Sequence, residues 1–263
     1  MERLLDKYQP RRFSTYIGIE RLMPVIESIV HNQLWHGILV TGENGMGKST
    51  LARILLSRLT CERPDGVEPC LECPSCNQFD PEKRHTYGER NVKSGACLTR
   101  SWVESLEYEL VANSMFFFPR HIWIDDVDAA QEGVLDALLL QIDRHSTSPM
   151  FFTATHLEKL PAPFIQRMKV LVLRKLTSKE LSPFVRSVCA NEEIQIVEPQ
   201  AVDEVIRLAN RNYRNILNTL EAVRDYDLPL SLASLTEEHV LDNLGLQVGE
   251  KRYVFVNKVS SVR

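Results

Sequence analysis

The sequence predicts an α/β protein: a mainly parallel sheet covered by helices on both faces, followed by a small all-helical domain. Three observations predict it. Short apolar runs recur between helical patterns, as the strands of a parallel sheet buried on both faces do. The first run, residues 37 to 41 (GILVT), passes through a glycine-spaced turn into a helix. After Leu176 the helical patterns continue, and no convincing strand interrupts them.

The bulk properties narrow the class. The 263 residues, 44% of them hydrophobic, suit one large domain or two modest ones. Charged residues make up 25% and the formal net charge is -4, which argues against a generally basic nucleic-acid coat while leaving room for a local basic face. No apolar run approaches the ~20 residues of a membrane-spanning helix. The opening MERLLDKYQPRRF is charged and lacks a secretory apolar stretch. A cytoplasmic protein with no membrane partner is expected.

In chain order, residues 20 to 32 (ERLMPVIESIVHN) carry helical apolar spacing, 37 to 41 form a buried strand and 48 to 59 a helix. A cysteine cluster follows, and residues 80 to 97 read as polar and irregular. Residues 101 to 112 (SWVESLEYELVA) suit a helix, 121 to 125 (HIWID) a second buried strand and 132 to 142 a helix. A third strand is expected at 150 to 155 (MFFTAT) and a fourth at 169 to 173 (KVLVL). Helices are expected at 178 to 190, 199 to 210, 212 to 225 and 236 to 244, with Ser178, Pro199 and Thr236 as starts. The tail EKRYVFVNKVSSVR alternates like a strand but stands apart. The expected division is a core over 1–175, a helical domain over 176–245 and a tail over 246–263.

Gly42, Gly47, Lys48 and Ser49 fit G-x-x-x-x-G-K-[ST] between a predicted strand and a predicted helix, which is the context that motif requires. The glycines let the backbone turn so that its N–H groups face a β-phosphate. The helix N-terminus adds positive partial charge. Lys48 is expected to reach the β- and γ-phosphates and Ser49 to ligate Mg²⁺. Asn44, Gly45 and Thr50 complete the nucleotide-facing set. The second strand ends in Asp125-Asp126. Asp125 is placed to hold Mg²⁺ through water, and Asp126 to orient the attacking water. Most ATPases of this class carry Glu there. Asp is shorter by roughly 1.5 Å, a scale at which catalytic geometry responds, so hydrolysis is expected to be slow. The alternative for Asp126 and Asp128 is a pair of solvated strand-end acids.

Cys61, Cys70, Cys73 and Cys76 follow C-x8-C-x2-C-x2-C. In a reducing compartment such spacing points to metal rather than disulfides. Four thiolates surround Zn²⁺ tetrahedrally and leave no open position, so a structural site is expected. Pro64, Gly66 and Pro69 let the intervening loop turn. Cys97 and Cys189 read as ordinary half-buried cysteines.

A phosphate loop followed at once by this cysteine pattern resembles the tau/gamma subunit of the bacterial replicative clamp loader, an AAA+ ATPase. The likeness covers residues 7 to about 245. "KYQPRRFSTYIGIE" is similar to that family's opening segment, which places Tyr8, Pro10, Ile17 and Gly18 near the adenine. "WHGILVTGENGMGKSTLARILLSRLTC" and "HIWIDDVDAAQEGVLDALLLQID" resemble its phosphate-loop and Mg²⁺-binding segments. "MFFTATHLEKLPAPFIQRMKVLVLRKL" resembles the stretch with the sensor-1 residue and a Ser-Arg-Cys triplet, and "NRNYRNILNTLEAV" the lid helix. The resemblance implies a P-loop NTPase AAA+ core with an inserted zinc module at 61–76 and a small C-terminal helical lid domain. It implies sensor 1 at Thr155, a trans arginine finger at Arg167, and a sensor-2 arginine at Arg214 that contacts the γ-phosphate in cis.

Departures from the family stand at three places. Gln166-Arg167-Met168 replaces Ser-Arg-Cys, Asp126 replaces Glu, and Arg211 takes the place of a glycine three residues before Arg214. The chain also stops soon after the lid, without the family's collar domain, so no stable ring is expected from it alone. The implied function is an ATP-binding and ATP-hydrolysing motor subunit that uses Mg²⁺ and Zn²⁺. Its implied partners are other clamp-loader-type AAA+ subunits, a sliding clamp and primer–template DNA, with Arg84, Arg90, Lys93 and Arg100 as candidate DNA contacts. Alternative expectations are a weakly hydrolysing scaffold subunit, and a helicase loader or mobile-element ATPase acting on another protein.

Overall fold

The structure, a computed structural model, describes residues 2–32, 37–77, 92–106, 122–144, 150–237, 240–241, 246–247 and 254–255. Contacts divide the chain into an α/β unit, Pro10–Arg174, and a helical unit, Met1–Gln9 with Lys175–Arg263.

In the α/β unit, strands β1 (Gly37–Thr41), β2 (Val92–Ser94), β3 (Trp123–Asp125), β4 (Met150–Ala154) and β5 (Met168–Val172) form one sheet in the order β2-β3-β4-β1-β5. Every neighbouring pair is parallel. Residue Gly37 of β1 aligns with Met150 on one side and Met168 on the other. All residues of β1 and β4 are buried, as expected of strands covered on both faces. The period of two sorts them into two cores. Leu39, Ile124 and Phe152 face one core, with Leu135, Leu138 and Ile142 of the helix Glu132–Arg144. Ile38, Val40, Trp123, Phe151 and Leu171 face the other, with Ile26 and Ile29 of the helix Met23–Asn32 and Leu51 and Leu55 of the helix Lys48–Thr60.

The polar stretch read as irregular over 80–97 contains β2 and a 3-10 turn, Gly95–Cys97. Among the described residues this strand pairs with β3 alone, and three residues leave no periodic signal to read. The helix expected at 101–112 is present over 100–106, and its remainder lies outside the described residues.

The helical unit contains Ser178–Asn191, Pro199–Leu208 and Tyr213–Asp225. A capping box starts the first: Glu180 N–H donates to Thr177 Oγ1 at 3.4 Å and Thr177 N–H to Glu180 Oε2 at 2.8 Å. Pro199 occupies the first turn of the second, where its missing N–H costs nothing. Asn212 caps the third by accepting from Arg214 N–H at 3.0 Å. Of the helix expected at 236–244, Thr236 ends a 3-10 turn and residues 240–241 are helical; 238–239 and 242–245 lie outside the described residues. In the tail, Leu246–Gln247 pairs antiparallel with Val254–Phe255.

The first nine residues group with the helical unit, not with the core to which chain order assigned them. Long-range contacts to a buried charge and apolar burial hold them there. Glu192 accepts from Lys7 at 2.7 Å, from the Tyr8 hydroxyl at 2.7 Å and from Arg224 at 3.1 Å. Leu4 N–H donates to Glu221 at 3.1 Å, and Leu4 is fully buried.

Candidate functional site

The site is built at the C-terminal ends of the parallel strands, where open α/β sheets bind ligands. After β1 the chain turns through Gly42, Gly45 and Gly47, all with positive φ, into the helix that starts at Lys48. Gly47 is constrained twice. Its φ is 93°, and a Cβ there would lie 2.6 Å from the Tyr16 hydroxyl. That hydroxyl donates to Met46 O at 3.0 Å, so Tyr16 underpins the loop. Burial pushes the Tyr16 phenol well above its ordinary value, so it stays a neutral donor.

Lys48 is 6% exposed. Its ammonium donates to Gly42 O at 2.9 Å, Glu43 O at 3.3 Å, Asn44 Oδ1 at 3.3 Å and Thr155 Oγ1 at 2.8 Å. The Thr155 hydroxyl in turn donates to Asn44 Oδ1 at 2.9 Å. Sequence positions 44, 48 and 155 thus meet at one point. Neutral oxygens hold the ammonium loosely compared with a phosphate, which accepts charge-assisted bonds.

A second junction lies beside it. Ser49 Oγ donates to Asp125 Oδ1 at 2.9 Å, and Oδ2 lies 3.1 Å away. Strand β4 separates β1 from β3, and its fully buried Thr153 bridges the gap. The Thr153 hydroxyl donates to Asp125 Oδ1 at 2.5 Å and accepts from Asp126 N–H at 2.9 Å. A hydroxyl and a carboxylate converging at this distance are the hard oxygen donors that Mg²⁺ takes.

Asp126 is exposed, with φ 50° and ψ 53°. Asp tolerates this left-handed conformation better than longer side chains, because its short carboxylate bonds locally. The departure from Glu therefore coincides with a backbone that favours Asp. Gly95 approaches this turn so closely that a Cβ would lie 2.2 Å from Asp126 O.

Sequence reasoning missed two residues. Thr153 gave no signal beyond its place in an apolar strand. Asp128, weighed as a solvated acid, is engaged: Oδ1 accepts Thr155 N–H at 3.2 Å and Oδ2 accepts His156 N–H at 2.9 Å. It fastens the end of β4 and so fixes where the Thr155 hydroxyl sits.

The other named residues distribute as follows. Pro10, Ile17 and Gly18 belong to the α/β unit, Gly18 with φ 78°. Thr50 is half-buried one residue beyond Ser49. Tyr8 belongs to the helical unit, where burial and its bond to Glu192 push its phenol up to about 12. Arg167 donates through Nε to Asp143 at 2.6 Å and through a terminal nitrogen to Pro163 O at 3.0 Å. The Asp143 carboxylate raises its pKa further. Arg214 is exposed in the first turn of Tyr213–Asp225 in the helical unit. Arg84 and Arg90 lie outside the described residues, as does the Lys93 side chain, and Arg100 pairs with Glu104 at 3.1 Å.

The sulfur atoms of Cys61, Cys70, Cys73 and Cys76 all lie within 4.8 Å of one another. Tetrahedral zinc, with Zn–S near 2.3 Å, sets sulfurs ~3.8 Å apart, and Cys70 and Cys76 stand 3.9 Å apart. Backbone N–H groups of Cys70, Cys73 and Cys76 point at the sulfurs of Cys61, Cys70 and Cys73 at 3.3, 3.4 and 3.4 Å, as thiolate ligands need. N–H groups of Glu72 and Cys73 lower the Cys70 thiol to about 6, while burial lifts Cys76 to about 12. The residues fit zinc. Cys97 is exposed and Cys189 buried, both apart from the cluster.

Over 226 residues the chain is 24% identical to the DNA polymerase III subunit gamma/tau of Mycoplasma genitalium, covering 84% of this chain and 37% of that protein. Over 289 residues it is 23% identical to the DNA polymerase III subunit gamma of Buchnera aphidicola, covering 98% of this chain and 74% of that one. The chain thus spans little more than a third of the first relative's length. Among solved structures, the RuvB Holliday junction branch migration motor of Thermotoga maritima matches with a TM-score of 0.60 at 18% identity, covering 90% of this chain and 72% of that one. That likeness shows a shared AAA+ fold. A family model, DNA polymerase III, delta subunit, matches residues 20–177, which spans the phosphate loop, the cysteine cluster, the Asp125 strand and Arg167. With more than half of its length matched, the chain belongs to the DNA polymerase III, delta subunit family, as a divergent relative similar to the gamma/tau subunits.

Proposed function

We propose that this chain is an ATP-binding, slowly hydrolysing AAA+ subunit of the clamp-loader type, acting in DNA replication in the cytoplasm. One observation carries the reading: Lys48, Asn44 and Thr155 converge beside Ser49 and Asp125 at the ends of adjacent parallel strands. Loop N–H groups and Lys48 would hold the triphosphate, and Ser49 and Asp125 its Mg²⁺, which neutralises charge on the phosphates. Thr155 would sense the γ-phosphate or orient water, and Asp126 would polarise that water. Arg167 would reach a neighbouring subunit's nucleotide, where a guanidinium stabilises charge developing in the transition state. Asp143 and Pro163 engage its Nε and one terminal nitrogen, and the side chain is 39% exposed. Arg214 would report the γ-phosphate from the lid. The division into core, lid and tail belongs to this reading, with residues 1–9 assigned to the lid. The cysteine cluster would hold a structural zinc.

The partners that fit are other clamp-loader-type subunits, a sliding clamp and primer–template DNA. The deciding experiment measures ATP·Mg²⁺ binding and turnover with and without clamp and primed DNA. Binding that is lost in Lys48→Ala, and turnover that rises with clamp and DNA, are expected. Absence of ATP·Mg²⁺ binding by the purified chain ends the proposal.

A second reading is favoured by the exposed, left-handed Asp126: a scaffold that binds ATP, turns it over poorly and lends Arg167 to a partner ATPase. Such a chain shows little activity alone yet raises its partner's, and Arg167→Ala abolishes the rise. Stimulation by neither clamp nor partner ATPase would redirect attention to a helicase-loader or mobile-element role.

A further inference from the structure

We infer that the cysteine cluster acts on the nucleotide loop, through Glu68 and Tyr16, so that zinc occupancy sets nucleotide affinity. The inference rests on the nucleotide-binding reading above and assigns a task to residues that reading does not use.

The path is continuous and lies within the α/β unit. Glu68 stands two residues before the ligand Cys70, on a tight hairpin in which Asp65 and Glu68 exchange backbone bonds at 3.0 and 2.9 Å. The base of this hairpin is the cysteine cluster: Cys61 precedes it and Cys70 follows it. The Glu68 carboxylate accepts Phe13 N–H at 2.9 Å and Ser14 N–H at 2.7 Å. Two bonds to one carboxylate are charge-assisted and fix the orientation of the turn Phe13–Thr15. Phe13 is 1% exposed and anchors that turn in the core. Tyr16 follows immediately, and its hydroxyl both donates to Met46 O and fills the space where a Cβ of residue 47 would sit.

The cluster also grips the helix that leaves the loop. Cys76 Sγ packs 3.6 Å from Ser57 O, and Arg58 donates to Gly66 O at 2.9 and 2.7 Å. The hairpin therefore spans two elements whose relative placement determines the loop: the helix Lys48–Thr60 and the segment carrying Tyr16. Without metal, nothing covalent fixes the hairpin base, and Glu68 loses the fixed point from which it holds Phe13 and Ser14. The energetic logic is pre-organisation. A loop already turned toward phosphate binds without first being ordered. Glu68 is a positioning residue, acting through Tyr16 on Met46 and Gly47.

The experiment measures ADP affinity of the full chain by titration calorimetry, alongside zinc content and melting temperature. Expected results are a several-fold weaker ADP affinity for Glu68→Ala with zinc retained, and a smaller loss for Glu68→Gln, which keeps one acceptor oxygen. Stripping zinc from the wild type with a chelator weakens ADP binding by a similar factor, and adding zinc back restores it. The same stripping has little further effect on Glu68→Ala, a non-additivity that a merely structural role does not produce. Tyr16→Phe, which removes only the hydroxyl, reproduces the affinity loss and carries the test should Glu68→Ala not fold. Wild-type affinity in zinc-loaded Glu68→Ala, or in Tyr16→Phe, overturns the inference while leaving nucleotide binding intact. A wild type that binds no ADP overturns both.

Discussion

Replacing Glu192 with Gln tests the attachment of the N-terminal segment to the helical unit, and its size follows from the geometry. The Glu192 side chain is 6% exposed. Burial by itself would raise its pKa, but hydrogen bonds from Lys7, Tyr8 and Arg224 outweigh that effect and hold the carboxyl at about 2, against an ordinary 4.5. A depressed carboxyl stabilises the fold fully above its unfolded value, and the contribution fades as pH falls from about 4.5 toward 2. A difference of this width, at about 1.4 kcal/mol per pH unit, corresponds to about 3 kcal/mol at neutral pH. Gln keeps the shape and one acceptor but no charge, leaving Arg224, 10% exposed, with Asp225 at 2.9 Å as its nearest remaining anion. Chemical denaturation followed by far-UV circular dichroism should show Glu192→Gln less stable by about 2–3 kcal/mol at pH 7. The two proteins should converge near pH 2. A gap between them that stays constant from pH 7 to pH 2, or a loss under ~0.5 kcal/mol at pH 7, would refute the argument.

Three further outcomes can be checked. Arg211 has φ 57° in the Schellman-type end of Pro199–Leu208, where its N–H donates to Ile206 O at 2.9 Å; Arg211→Gly should raise stability by about 1 kcal/mol, read from the denaturation midpoint. Asp128→Ala frees the N–H groups of Thr155 and His156, so single-turnover ATP hydrolysis should fall at least several-fold while ATP affinity changes little; equal loss of both would show that Asp128 shapes binding instead. One zinc per chain should be found by elemental analysis, and Cys73→Ser, at a buried ligand position, should lower both zinc content and melting temperature.

Much of the candidate site was readable because its chemistry is contiguous. The glycine turn, Lys48 and Ser49 sit within eight residues, and the motif encodes the strand, the turn and the helix together. The four cysteines announced themselves by spacing, and their sulfurs do meet within 4.8 Å. Four of the five strands of the described sheet were legible because burial on both faces requires unbroken apolar runs; β2, three residues at the end of that sheet among the described residues, is too short to show one. Thr153 and Asp128 were not legible. A threonine in a strand and an acid in a turn are common, and only the strand order makes one hold Asp125 and the other Thr155.

The sequence by itself determined the glycine-turned strand–loop–helix, the close cysteine spacing and the change from α/β to helical character after Leu176, because each is written in local period or short spacing. The tertiary structure alone decided which residues meet across long stretches of chain: Lys48 with Thr155, Glu68 with Phe13 and Ser14, and Glu192 with Lys7 and Tyr8. It also decided that Asp126 adopts a left-handed turn and that residues 1–9 join the helical unit. The physical reason is that such pairings depend on which strands lie side by side and which helix carries a buried charge. Neither is encoded by the spacing of residues along the chain.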